Sequence, residues 1–326
     1  MAKPFFYGGQ AVLEGVMIRG RRAMVVAVRC PDGSIGLHRE PLAPWAVGRF
    51  REIPLVRGVI VLAETLVLGT KALFYSANAA LGEGEELKPV ALWPMLVMAL
   101  ALVVGLFFVV PLFVVSQLDR HIASDVTSNL AEGGLRLAIF LLYLKAISLV
   151  PDIKRVFAYH GAEHKAVNAF EGGANLDVTE VQRYSTAHLR CGTAFLLIVL
   201  VVALLAFAFL GRPPLWLRLL SRVALLPVIA AVSYELLRLS ASLGRQRLVR
   251  LIMAPGLLLQ SLTTRQPDDA QVEVALRALR GALEADGLAP AGSQLPPDGL
   301  GVEAPGGQQD EGVKEEVGGL GGQALR

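Results

Sequence analysis

Charge is scarce in this sequence. Only 18% of its 326 residues are Asp, Glu, Lys or Arg, while 54% are apolar; an ordinary soluble domain carries about a quarter charged residues. The shortfall comes from apolar runs long enough to cross a bilayer, and it points to an integral membrane protein. Cysteine is scarcer still. Cys30 and Cys191 are too few for a disulfide framework and fit a reducing compartment. No basic cluster is interleaved with aromatics and the net charge is only +3, so nucleic acid is not an expected partner. The opening MAKPFFYGGQAVLEGVMIRG lacks a continuous apolar core behind a basic start, which argues against a cleaved signal peptide. No convincing internal repeat is found.

What is present suggests a mainly α-helical integral membrane protein of about four transmembrane helices, with a small N-terminal α+β cytoplasmic unit over residues 1–88. In that unit AMVVAVRCPDGSIGLHREPL is valine-rich and broken at Asp32-Gly33, a hairpin signal, and GGQAVLEGVMIRG is a further candidate strand. Pro54 suits the first turn of a helix. The helix it opens is interrupted by Arg57, Glu64 and Lys71 and is expected to be amphipathic rather than spanning. Glu64 is a functional carboxylate, or else a polar-face residue or the partner of a lysine.

A membrane domain is expected over residues 89–266. Its four spans are 90–118, trimmed or kinked by Pro94 and Pro111; 135–150, interrupted by Lys145; 193–210; and 223–239, polar only near Glu235 and Arg238. LVRLIMAPGLLLQSL is short, broken by Pro255-Gly256, and is expected to be interfacial or re-entrant. Residues 267–286 form an amphipathic helix capped by Asp268 or Asp269, with Val272, Ala275, Leu276, Leu279 and Leu283 in one stripe. The tail 287–326 is rich in glycine and proline and is expected to be disordered. Lysine and arginine bias places both termini in the cytoplasm. Lys71, Lys88, Lys154, Arg155, Lys165, Arg183, Arg190, Arg238, Arg245, Arg247 and Arg250 then lie inside. Arg120, Arg212, Arg218 and Arg222 lie outside, and the last three weigh against that orientation.

The chemistry concentrates in the cytoplasmic loop 151–192, in YHGAEHKAVNAFEGG. On a helix His160 and His164 are i and i+4, so their imidazoles share a face. His160-x-x-Glu163-His164 is an H-x-x-E-H string, the inverse zincin signature. Two neutral imidazoles can hold a divalent ion, and an adjacent carboxylate can act as base. A catalytic zinc normally takes a third protein ligand. His188, Cys191 and Glu235 are candidates because the spans bring all three to the same membrane face. Glu171 is a weaker one. Each has a bland alternative: His188 as a loop cap, Cys191 as a small buried residue, Glu235 as the partner of Arg238.

The ordered stretches GGQAVLEGVMIRG, RGVIVLAETLVLGTKAL, YHGAEHKAVNAFEGG, HLRCGT and LTTRQPDD together resemble the YqhQ-like family of bacterial membrane proteins. That is a domain-of-unknown-function family commonly labelled a predicted metal-dependent enzyme. The resemblance covers about residues 7–280. It implies a bacterial inner-membrane location and makes Glu14, Glu64, His160, Glu163, His164, Glu171, His188, Arg190, Cys191 and Glu235 motif positions. The chain departs from it at Leu189, where the family usually has proline. In its light Glu14 becomes a candidate to reach the site and Arg19 to hold an anionic group; the alternative is a tightly turned strand packing on the membrane domain.

Three functions follow as expectations. The first is a cytoplasm-facing metal-dependent hydrolase. His160 and His164 hold zinc or a similar divalent ion, Glu163 is the general base, Arg190 is the anion partner, and a peptide bond or a lipid-linked ester in the bilayer is the substrate. The second is a non-catalytic scaffold whose polar motifs dock the N-terminal unit to the helices. The third, a small transporter or channel using Lys145 and Glu235, is the weakest, since no repeat or paired broken helices are seen.

Overall fold

The computed structural model describes residues 5–81, 89–188, 190–243 and 246–288. It opens with four strands, β1 (Gly8–Val12), β2 (Gly15–Arg19), β3 (Ala23–Arg29) and β4 (Ile35–Pro41), paired antiparallel in sequence order. β3 and β4 turn at Asp32-Gly33, as the dipeptide predicts. GGQAVLEGVMIRG supplies two strands rather than one. Gly8 pairs with Arg19 and Val12 with Gly15 across a tight turn at Leu13-Glu14. Glu14 takes φ +52 there, a left-handed conformation that Gly, Asn or Asp normally signals; a Leu-Glu pair gives no such signal.

Helices follow: α1 (Pro44–Val47), α2 (Val56–Leu81), α3 (Pro89–Val104), α4 (Val110–Leu118), α5 (Asp125–Ile147), α6 (Pro151–Glu171), α7 (Val178–Val181), α8 (Gly192–Ala208), α9 (Leu215–Ser242), α10 (Arg247–Thr263) and α11 (Asp269–Ala285). The sheet is buried on both faces. Val16, Ile18, Val25 and Ala27 face Tyr159, Ala162 and Ala166 of α6 and Val272, Leu279 and Leu283 of α11. Val12, Met17, Met24, Val26 and Val28 face Leu68 and Ala72 of α2. This double cover explains why AMVVAV is apolar at every position. The stripe read along residues 272–283 is buried, and α11 starts on an Asp268–Gln271 capping box.

Among the described residues three helices are long and apolar enough to cross a membrane: Val56–Leu81, Trp93–His121 and Leu215–Ser240. The second and third carry two of the four expected spans. The expected span 135–150 overlaps the end of α5, which stops at Ile147 and meets α6 at a 98° bend, and these two are long and apolar enough only as a broken pair. α8, on the expected span 193–210, has only 17 residues. At 1.5 Å per residue that is about 25 Å, short of a hydrocarbon core of about 30 Å. α2, expected to be amphipathic and to lie against the membrane or against other helices, packs on the sheet through Leu68 and Ala72 and on α9 through Arg57, and by length and apolarity its 26 residues are also a candidate span. The three charges that seemed to interrupt it all have protein partners. Arg57 bonds Glu235, Lys71 bonds Glu40, and Glu64, only 3% exposed, accepts from Arg19 at 2.9 Å and Arg51 at 2.7 Å.

Pro94 lies inside α3. Pro111 follows a π-helical turn at Gly105–Val109, which links α3 and α4. Having no N–H, it leaves the carbonyl four residues earlier without its helical donor. Arg136 Nε of α5 supplies one to that Phe107 oxygen at 2.7 Å. The tail from 289 onward, Lys88, Leu189 and Arg245 lie outside the described residues.

Glu64→Ala is expected to strand the Arg19 guanidinium against α2 and to cost about 3 kcal/mol, read as a lower thermal midpoint in detergent. Glu64→Gln, which keeps an acceptor, is expected to lose clearly less. Equal loss in both would show that the charge carries the contact alone.

Candidate metal centre

Val150 is extended and Pro151 sits at the start of α6, as a residue before proline and a proline at N1 prefer. The chain therefore turns sharply out of α5, and α6 lies against the sheet instead of continuing the span. Its i, i+4 spacing places the His160 and His164 rings 4.4 Å apart.

Both imidazoles are aimed by backbone carbonyls. His160 Nδ1 lies 2.8 Å from the Thr263 oxygen at the end of α10, and His164 Nδ1 lies 2.5 Å from the Thr186 oxygen. A carbonyl only accepts, so each Nδ1 carries the hydrogen, and it is Nε2 that each ring has left for a ligand. Cys191 Sγ is 3.2 Å from His160 Nε2. One ligand atom from each of His160, His164 and Cys191 lies within 4.8 Å of the others. Two imidazole nitrogens and a sulfur at this spacing, with the second nitrogens tied to carbonyls, suit a tetrahedral divalent ion such as zinc.

Glu163, 4% exposed, stands beside them. Its Oε1 accepts from Gly9 N–H at 3.0 Å and its Oε2 is 3.6 Å from His164 Nε2. Gly9 is required there: a Cβ would stand 1.8 Å from the Met17 oxygen. Tyr7, Gly8, Gly9, His188, Arg190 and Gly192 complete the lining of a pocket of about 60 Å³ around these groups.

The loop carrying His188, Arg190 and Cys191 is held by its carbonyls. Lys165 Nζ donates to Gln182 and Tyr184 oxygens at 2.6 and 2.8 Å. Asn168 donates to Ser185 and Ala187 oxygens at 2.8 and 3.0 Å. The buried Gln260 amide of α10 bonds both the N–H and the carbonyl of His188. His188 Nε2 faces Arg190 Nη2 at 3.4 Å and Glu171 Oε2 at 3.8 Å. Burial lowers the His188 pKa below its usual 6.5, Glu163 opposes and His160 adds to the fall, so His188 is neutral at pH 7. Arg190 pairs with Glu171 and stacks 4.2 Å over the Phe6 ring. Burial lowers its pKa and Glu163 opposes.

Of the residues singled out from sequence, His160, Glu163, His164, His188, Arg190 and Cys191 line one pocket, and Glu171 stands at its edge through Arg190 and His188. Glu235 is elsewhere. It accepts from Arg57 Nε at 2.6 Å and from Leu55 N–H at 3.1 Å, tying α9 to α2. Glu14 bonds Arg155 Nη2 at 2.6 Å and Tyr159 OH at 3.3 Å, and Arg19 bonds Glu64. These three positions clamp elements together. Gly8 and Gly9 bring the N-terminal motif to the site through backbone, which Glu14 was expected to do by side chain. Thr263, Thr186 and Gln260 went unseen. LTTRQPDD contains Thr263, but a role played by a main-chain oxygen leaves no mark on residue type.

Gly161→Ala is expected to cost about 2–3 kcal/mol in thermal unfolding, because its Cβ would stand 2.0 Å from the Arg265 carbonyl oxygen. The same displacement moves Thr263 away from His160.

A family model described as "Protein of unknown function (DUF1385)" matches residues 53–285, which include the whole pocket except its β1 side. The "Uncharacterized protein YqhQ" of Bacillus subtilis (strain 168) is 37% identical over 301 residues, covering 87% of this chain and 94% of that protein. No solved structure matches.

Proposed function

The chain belongs to the DUF1385 family of proteins of unknown function, and from the geometry of its buried site we propose that it is a membrane-embedded, metal-dependent hydrolase. One observation carries the proposal: two imidazoles with carbonyl-anchored Nδ1 atoms bring ligand atoms within 4.8 Å of each other and of Cys191 Sγ, with the Glu163 carboxylate adjacent. His160, His164 and Cys191 are the ligands. A bound divalent ion, zinc by its donor set, supplies Lewis acidity toward a carbonyl or phosphoryl oxygen and acidifies water. Glu163 accepts the proton at Oε2 while Gly9 N–H holds Oε1 and fixes the carboxylate plane. Arg190 holds an anionic group of the substrate, and the Phe6 ring keeps its guanidinium flat over the pocket.

The helical domain lies in the bacterial inner membrane, with both termini and the pocket on the cytoplasmic side. The arginines that weigh against this orientation, Arg212, Arg218 and Arg222, bond Asp125, Asp119 and Glu132 instead of standing free at a helix flank. A pocket at the end of the α5–α6 bend suits a bond carried at the bilayer surface, a lipid-linked ester or a peptide bond of a membrane protein.

A second reading, a scaffold, is favoured by the three clamps. Glu14–Arg155, Arg19–Glu64 and Arg57–Glu235 join the sheet, α2, α6 and α9 without serving the pocket.

Elemental analysis of detergent-purified protein separates the two. The hydrolase requires about one divalent ion per chain in wild type and in Glu163→Gln, and none in His160→Ala combined with His164→Ala. A chelator should lower the wild-type thermal midpoint and leave the double variant unmoved. Any ester or peptide hydrolysis found in wild type should fall by roughly 10² or more in Glu163→Gln. A metal-free wild type with the midpoint of the double variant would sink the proposal and leave the scaffold.

A further inference from the structure

A second charged centre lies at the other end of the helices. Cys191 marks the start of α8 and Phe207 its far end, 16 residues or roughly 24 Å away by helical rise. Beside Phe207 the guanidiniums of Arg136 and Arg222 lie 5.5 and 5.1 Å from its ring centre. Glu132 of α5 gathers three arginines. Its Oε1 accepts from Arg136 Nη2 at 2.6 Å and Arg222 Nε at 3.0 Å; its Oε2 accepts from Arg222 Nη2 at 2.9 Å and Arg218 Nη2 at 3.4 Å. Asn129 Oδ1 takes a second bond from Arg222 Nη2 at 2.8 Å, and Asp119 takes Arg218 Nη1 at 2.9 Å.

Two features of this cluster remain unexplained by those bonds. Three guanidiniums face two carboxylates, an excess of one positive charge. Adding Arg212 and Asp125, which pair at its surface, leaves the excess unchanged. In addition, Arg218 Nε and Arg222 Nη1 are buried and have no hydrogen-bond partner. An unmatched charge and unmatched N–H groups away from water are both costly. One small anion beside Arg218 and Arg222 offsets both.

We propose that the α5–α9 cluster binds a single halide-sized monoanion, chloride in ordinary media. Its charge matches the excess. Its size follows from burial: Arg222, Arg218 and Arg136 are 1%, 2% and 4% exposed, so no open groove leads a phosphate headgroup to the guanidiniums. The site is structural in effect. The anion completes the junction of α5, α9 and the π-turn, which Arg136 also holds through the Phe107 carbonyl.

The test is the thermal midpoint of the full-length protein in an uncharged detergent, with chloride exchanged for gluconate at constant ionic strength. Wild type is expected to melt about 3 °C or more higher in chloride, and bromide should substitute. Arg218→Gln leaves two guanidiniums for two carboxylates and is expected to melt at the same temperature in both salts. Equal wild-type midpoints in chloride and gluconate would overturn the proposal, as would a chloride effect that survives Arg218→Gln. Stabilisation by phosphatidylglycerol but not by chloride would overturn it in favour of a lipid headgroup. Should Arg218→Gln fail to fold, bromide-grown wild-type crystals decide: an anomalous peak beside Arg218 and Arg222 supports the site, and none refutes it.

Discussion

The candidate centre depends on main-chain carbonyls being captured by the polar face of α6. Lys165, His164 and Asn168 together take the oxygens of every residue from Gln182 to Ala187 except Arg183. A loop held at so many points loses its freedom once, in a single cooperative docking. His188, Arg190 and Cys191 leave that loop at set positions, although they are 17 or more residues from α6 in sequence. α10 completes the frame, with Gln260 gripping the His188 backbone and the Thr263 oxygen orienting His160. The imidazoles are thus part of the scaffold through Nδ1 and available for chemistry through Nε2, the arrangement that makes a metal ligand rigid before a metal arrives.

α6 occupies this position because the chain cannot continue straight from α5. Pro151 ends the hydrogen-bond ladder and starts a new helix at 98° to the old one. The apolar face of the new helix, Tyr159, Ala162 and Ala166, then packs under the sheet beside α11. Small residues on that face, together with Gly161, let strand and loop backbones approach closely. Gly9 N–H reaches Glu163 only because β1 lies this near. The sheet is therefore a wall of the pocket as well as a packing layer, and the opposite face of the same sheet rests on α2, a candidate span.

The two charged centres differ in kind. Near α6 the polar atoms converge on a pocket, and several are neutral or held ready as acceptors. Between α5 and α9 the carboxylates are filled, with Glu132 saturated by three arginines, and two arginine N–H groups are left over. Charged side chains among apolar helices persist only when partners neutralise them. Each centre meets that constraint in its own way, one through carbonyl hydrogen bonds to imidazoles, the other through ion pairs that leave one arginine charge for the proposed anion to match.

Residue type and spacing by themselves determined the hairpin at Asp32-Gly33, the α11 stripe, the apolar runs 90–118 and 223–239, and the shared face of His160 and His164 with Glu163 at its edge. Those features are local: turn preference, helical period and hydropathy act within a few residues of each other. Tertiary structure alone decided the rest. It chose Cys191 over Glu235 as the residue beside the imidazoles, because Arg57 across the α2–α9 contact claims Glu235. It gave each charge of α2 a partner from another element. It also turned Arg218 and Arg222, which sequence places in an outer flank, into a buried cluster around Glu132. In each case the deciding partner sits on another element of the fold, from 13 to 178 residues away. Neither distance across the fold nor a main-chain carbonyl is written in the identity of the residue itself.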